Sequence, residues 1–218
     1  MADRFHARRI RNLFANKQIE FVIDVGAHKG EFIRLVFNRT VPVFVFEPQK
    51  GVYSALERAI ADDNVLQFYR CAVSDYVGEV DLYVNYLSST TSTLQPNEKS
   101  PWIRFKKAVL GGKLVKAVEK VSVTTLDAAL LAELVNGKNS VLKIDVEGNE
   151  GRVLSGARGL LASGQVEFVQ IERARYQIYK GDLPDPVEIL LQCGFREYKR
   201  FLFPLHNFSD IVFRRIGD

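Results

Sequence analysis

Three groups of residues in this sequence combine types that do chemistry. Asp24-Val25-Gly26-Ala27-His28-Lys29-Gly30 follows the apolar run Phe21-Val22-Ile23, and Phe46-Glu47-Pro48 ends a second run, Val43-Phe44-Val45. Glycines at 26 and 30 let the backbone turn tightly and approach a ligand closely. A carboxylate about 20 residues beyond such a turn can accept from both hydroxyls of a ribose. The pair therefore describes a grip on a nucleoside. The third group is Lys143-Ile144-Asp145-Val146-Glu147-Gly148-Asn149-Glu150. Strand alternation sets Lys143 and Asp145 on one face. Lysines are almost never buried unpaired, so Lys143 is expected to pair with Asp145 or to reach the site. A carboxylate at that strand end can act as general base. Asp145 is the first candidate, ahead of His206 and His28. Glu150 reads as an acid capping a helix start.

The scaffold follows from periodicity. Helical spacing is expected over 3–17, 31–37, 51–61, 126–134, 150–161 and 186–193. Apolar runs at 21–25, 43–47, 65–73, 141–146 and 166–172 read as buried strands, and alternation at 78–84 and 121–124 as half-exposed ones. Segments 195–203 and 209–214 flank Pro204-Leu205-His206-Asn207, a hairpin signal. The expected fold is α/β, a doubly wound and mostly parallel sheet with one antiparallel strand near an edge, a strand of the C-terminal hairpin. Residues 1–218 read as one domain, with a basic helix at 1–18 capping a sheet edge and an irregular insertion at 86–118. Parallel strand ends share a rim, so Asp24, Glu47, Asp145 and Glu172 converge, and the hairpin turn brings His206 and Asn207 to the same end.

A glycine turn with a ribose acid fits NAD, FAD and S-adenosylmethionine alike. Here the turn is Asp-x-Gly-x-x-x-Gly, without the glycine cluster that seats a pyrophosphate at a helix start. That spacing favours S-adenosylmethionine, which has no phosphate and whose cationic groups suit carboxylates such as Asp24.

Residues 22–32, Val45-Phe46-Glu47-Pro48, Ala72-Val73-Ser74-Asp75, the Ser/Thr run 88–93, Thr124-Thr125-Leu126-Asp127 and Leu142–Glu150 together resemble the FkbM family of class I S-adenosylmethionine-dependent methyltransferases. The resemblance implies a seven-stranded Rossmann-like sheet and O-methylation of hydroxyls on sugars, glycolipids or polyketides. It places Asp24, Gly26, Ala27 and Gly30 at the methionine end of the cofactor and Glu47 at the ribose, with Pro48 following at the rim. Ala72, Val73, Ser74 and Asp75 would flank the adenine. His28, where the family often has Asn, would touch the cofactor or the acceptor. Asp145 and Lys143 would serve the reaction, with His206 as the alternative base.

The expected acceptor is a hydroxyl-bearing small molecule or glycan, met by Trp102, Glu147, Glu172 and Asn207. Trp102 and Phe105 offer stacking faces, and the basic run Arg104, Lys106 and Lys107 offers an anion contact. Asp145, Glu147 and Glu172 have the oxygen chemistry of divalent-cation ligands, but the reading adopted is metal-independent. A nucleic-acid methyltransferase is the first rival. It is disfavoured because no Asn/Asp-Pro-Pro-Tyr/Phe stretch follows a strand, and no stable nucleic-acid partner is expected. A non-catalytic nucleotide-binding module is the second rival. No apolar run approaches the ~20 residues that span a bilayer. Two cysteines, Cys71 and Cys193, form no disulfide framework. A cytoplasmic protein is the expectation, with peripheral membrane contact open to the basic N-terminal helix (Arg4, Arg8, Arg9, Arg11).

Overall fold

The computed structural model describes residues 2–37, 41–61, 64–130, 139–174, 178–203 and 208–216. In chain order the elements are α1 (Ala2–Phe14), β1 (Val22–Val25), α2 (Glu31–Val36), β2 (Val43–Phe46), α3 (Tyr53–Ala59), β3 (Val65–Tyr69), β4 (Ala72–Val73) and β5 (Gly78–Asn85). Then follow α4 (Pro101–Val109), β6 (Val115–Thr124), α5 (Leu126–Leu130), β7 (Ser140–Ile144), α6 (Glu150–Ser155), α7 (Arg158–Ala162), β8 (Val166–Ala174), α8 (Pro186–Gln192), β9 (Phe195–Leu202) and β10 (Phe208–Arg215).

Seven strands form one sheet in the order β3-β2-β1-β7-β8-β10-β9. Only β10 runs antiparallel, pairing with β8 and β9, so the expected C-terminal hairpin is present. Both faces are apolar, as a doubly wound sheet requires. Ile23, Val25, Leu142, Ile144, Val169 and Ile171 face α5 to α8, where Leu126, Leu154, Leu160 and Leu190 cover them. Val22, Val45, Val141, Phe168 and Val212 face α1, α2 and α3.

Three details correct the sequence reading. The strand expected over 65–73 breaks at Arg70 and Cys71, and Ala72–Val73 joins a second sheet ordered β4-β6-β5. The alternating strand expected at 78–84 is present in that second sheet, antiparallel to β6. Helix α1 covers a face and not an edge, because Ala7, Ile10 and Phe14 lie at helical spacing and bury against the sheet. Residues 86–118 are not irregular throughout. They contain α4 and the start of β6, and Ser92 pairs back onto Tyr83.

Candidate active site

The strand order reverses between β1 and β7, the place where open α/β sheets bind ligands at their carboxyl ends. Three strand ends are tied together there. Gly26 N–H and Ala27 N–H both donate to Phe46 O at 3.0 and 3.2 Å, and Asp145 N–H donates to Val25 O at 3.0 Å. Gly26 has φ +79°, and a Cβ on it would stand 2.0 Å from Asp145 O. Only glycine fits where the first turn meets the end of β7.

One ammonium group locks this junction from beneath. Lys143 Nζ lies 3.1 Å from Asp24 Oδ1 and 3.6 Å from Asp145 Oδ2, and it donates to Gly26 O at 2.8 Å. Lys143 is 1% exposed and Asp24 0%. Burial raises the Asp24 pKa, and the lysine charge opposes that rise. The expected Lys143–Asp145 pair is therefore present, and Asp24 is the lysine's nearer carboxylate.

Above the junction opens a cavity of about 390 Å³, within the ~300–1,000 Å³ typical of small-molecule sites. Of the expected cofactor residues, Gly26, His28, Glu47, Pro48, Ala72, Val73 and Asp145 line it. Glu47 accepts from His28 N–H at 2.7 Å and from Gln49 N–H at 2.8 Å. Its burial raises its pKa against those two donors. A carboxylate has about four acceptor positions, so capacity remains for a ribose. His28 sits at φ +50°, in the left-handed region that Asn and His enter more readily than most residues. Its ring Nδ1 is 3.5 Å from Glu31 Oε2, and that hydrogen bond pulls the Glu31 pKa down to about 2.

Other expected contacts lie elsewhere. Asp24 faces Lys143 below the cavity floor. Ala27 packs into the core on the α2 side, and Gly30 packs against Leu56, Ala59 and Ile60. Ser74 is buried and donates to Asp75, which pairs with Arg152 at 3.2 Å. Trp102, expected at the acceptor, stacks on Phe105 and meets the edge of Phe208, beside the cluster Ile103, Leu114, Ile178 and Tyr179. It lines neither cavity. His206 and Asn207 fall outside the described residues.

The motif after β7 folds back on itself. Glu147 has φ +55° and Gly148 φ +102°. Glu150 Oε1 accepts from Val146 N–H at 3.3 Å and Gly148 N–H at 3.1 Å, the capping expected of it. A Cβ on Gly148 would stand 2.3 Å from Tyr179 Cδ2, so the tyrosine ring lies directly on this glycine. The Tyr179 hydroxyl donates to Glu147 Oε2 at 2.9 Å. A second cavity, of about 240 Å³, opens here and is lined by Glu147, Glu172, Tyr179 and Phe208 among others. Glu147 belongs to the walls of both cavities. Carboxylate oxygens of Asp145, Glu147 and Glu172 lie within 4.8 Å of one another. Desolvation, reinforced by the Asp145 charge, pushes the Glu147 pKa up to about 7. Burial, reinforced by the neighbouring acids, raises the Glu172 pKa as well.

Residues that sequence reasoning missed include Tyr179, Tyr86 and Leu87. Tyr179 is 31 positions beyond the glycine it covers, in a stretch without periodicity. Thr91, Ser92 and Thr93 line the first cavity, and the Ser92 hydroxyl donates to Glu147 O at 2.8 Å.

A rim of this kind, with the buried acid Glu47 at the end of β2 and no pyrophosphate cradle, is compatible with a class I methyltransferase. A model of the FkbM methyltransferase domain matches residues 24–197, and the chain belongs to that family. It is an S-adenosylmethionine-dependent methyltransferase. The free acceptor positions on Glu47 and the size of the first cavity fit that donor. Among solved structures, magnesium protoporphyrin IX methyltransferase from Synechocystis PCC 6803 with bound S-adenosylmethionine is similar at 13% identity. That match covers 97% of this chain and 80% of the other, with a TM-score of 0.50. A SAM-dependent methyltransferase from Leishmania major is similar at 13% identity, covering 97% of this chain and 74% of the other, with a TM-score of 0.49. At 13% identity the first of these likenesses concerns the fold alone. No curated protein sequence matches the chain. Among the described residues, no helix is long and apolar enough to cross a membrane.

Proposed function

We propose that this methyltransferase acts on a hydroxyl group of a small-molecule or glycan acceptor seated in the second cavity. The observation that carries the reading is the position of Glu147, on the wall common to both cavities, with its pKa raised to about 7. A hydroxyl is a poor nucleophile until a base takes its proton, and a base is most useful when its pKa lies near the working pH. Glu147 has that property, so it replaces Asp145 as the proposed proton acceptor. Asp145, 3.6 Å from Lys143, is then a fixed charge beside the reacting centre.

S-adenosylmethionine, when bound, supplies an electrophilic methyl group whose bond to sulfur breaks as the acceptor oxygen bonds to carbon. The chain contributes alignment and proton transfer. Glu47 would hold the ribose, and Gly26 and the main chain of β1 and β7 would shape the methionine end. The Tyr179 hydroxyl orients Glu147 Oε2, leaving the other oxygen to receive the hydroxyl proton. Alignment of this kind can supply up to ~7–11 kcal/mol of a barrier.

A panel of sugars and other hydroxyl compounds, with mass spectrometry of the methylated product, tests the reading. Glu147→Gln is expected to lower turnover about 100-fold while S-adenosylhomocysteine binding stays within about threefold. Methylation confined to amine nitrogens, or full turnover in Glu147→Gln, overturns it. Activity is expected to survive EDTA. Loss on chelation and recovery with added metal would reassign Asp145, Glu147 and Glu172 as ligands.

A further inference from the structure

Between Glu98 and Val118 the chain carries six basic side chains and one acidic one, an excess larger than the net +4 of the whole protein. The acid, Glu98, is already paired with Lys107. Most of this charge is displayed around α4. At 100° per residue, Pro101, Phe105, Ala108 and Val109 fall on one arc of that helix. The arc faces solvent, with Phe105 58% and Val109 67% exposed. Arg104 and Lys107 flank it on one side and Lys106 on the other. The opposite side, through Ile103, is buried against Leu114 and Tyr179. The helix runs into Gly111-Gly112-Lys113, and Leu114 O accepts from Tyr86 N–H at 3.0 Å. Tyr86 and Leu87, themselves 52% and 43% exposed, form part of the wall of the first cavity.

Exposed aromatic and aliphatic side chains framed by cations on a short helix are the composition of an interfacial membrane contact. Cations near an anionic leaflet add attraction that grows with their number. Helix α1 cannot serve in the same way. It is also basic, but among its described side chains the apolar Ala7, Ile10 and Phe14 are spent in the core.

We propose that α4 and the following turn dock this protein on an anionic lipid surface, with Phe105 and Val109 entering the interface and Arg104, Lys106 and Lys113 meeting head groups. Helix α4 packs through Ile103 on Tyr179, which lines the second cavity, so an acceptor hydroxyl would be presented to that cavity from the bilayer. Docking needs no methyl transfer and is measured without an acceptor, so it can fail while the proposed reaction stands, and the reverse.

The test is flotation of the full chain with phosphatidylcholine vesicles, with and without phosphatidylglycerol. Binding is expected to be at least about tenfold tighter on the anionic vesicles. Phe105→Ser with Val109→Ser, and separately Arg104→Glu with Lys113→Glu, are each expected to weaken it about tenfold while S-adenosylhomocysteine binding is unchanged. Equal binding to neutral vesicles overturns the proposal. So does indifference to either pair of substitutions, or loss caused instead by Arg8→Glu with Arg9→Glu in α1. Displacement from vesicles by a short RNA that binds more tightly would mark the surface as a nucleic-acid contact and overturn it as well.

Discussion

The junction of β1, β2 and β7 and the segment from Tyr86 to Leu114 face the same cavity but are built in opposite ways. The junction is main chain pressed against main chain, with Gly26 on Asp145 O and a single buried ammonium binding Asp24, Asp145 and Gly26 O. The segment meets the rest of the site through scattered contacts, Ser92 on Glu147 O, Asn97 N–H on Ile178 O and Ile103 against Tyr179, and shows large apolar side chains to solvent.

Substitutions should separate the two regions, beginning where the cost is greatest. Lys143→Met leaves Asp24 buried without a counter-charge and is expected to cost about 3–5 kcal/mol in urea unfolding. Adding Asp24→Leu should restore much of the loss. If the single variant is as stable as wild type, the lysine is not the lock described. Gly26→Ala forces a Cβ into Asp145 O at φ +79°. A strain cost of about 1–3 kcal/mol should appear together with weakened donor binding in calorimetry.

A smaller effect concerns pH. Glu147 and Glu150 titrate near 7 in the folded protein against an ordinary value of 4.5. The folded state therefore binds more protons than the unfolded state between those values, and stability should fall as pH rises from about 4.5 to 7. Glu147→Gln should flatten that slope, as read by thermal unfolding across the range. The smallest effect belongs to the exposed segment. Phe105→Ser with Val109→Ser should shift stability by no more than about 0.5 kcal/mol for each site.

The same contrast explains what was legible in the sequence. The placement of Gly26, Glu47 and the Lys143–Glu150 motif at one rim was readable because it rests on backbone geometry and local spacing. The seven-stranded sheet and its hairpin were readable from period and punctuation. Helix α4 was hidden because Pro96, Pro101 and Gly111-Gly112 look like loop punctuation, although Ser100-Pro101 is also how a helix begins. The break at Arg70–Cys71 left no mark, since the apolar pattern continues through it into a different sheet. Tyr179 over Gly148 and His6 against Asp210 at 2.6 Å join residues far apart in sequence, and no local signal announces either contact.

Calorimetric titration of S-adenosylhomocysteine into wild-type protein and Glu47→Gln addresses the donor site most directly. Wild type should bind, and the variant, which loses a charged acceptor, should bind at least about tenfold more weakly. Equal affinity in the two proteins, or a wild type that binds NAD in preference, would contradict the placement of the donor in the cavity above β1 and β2.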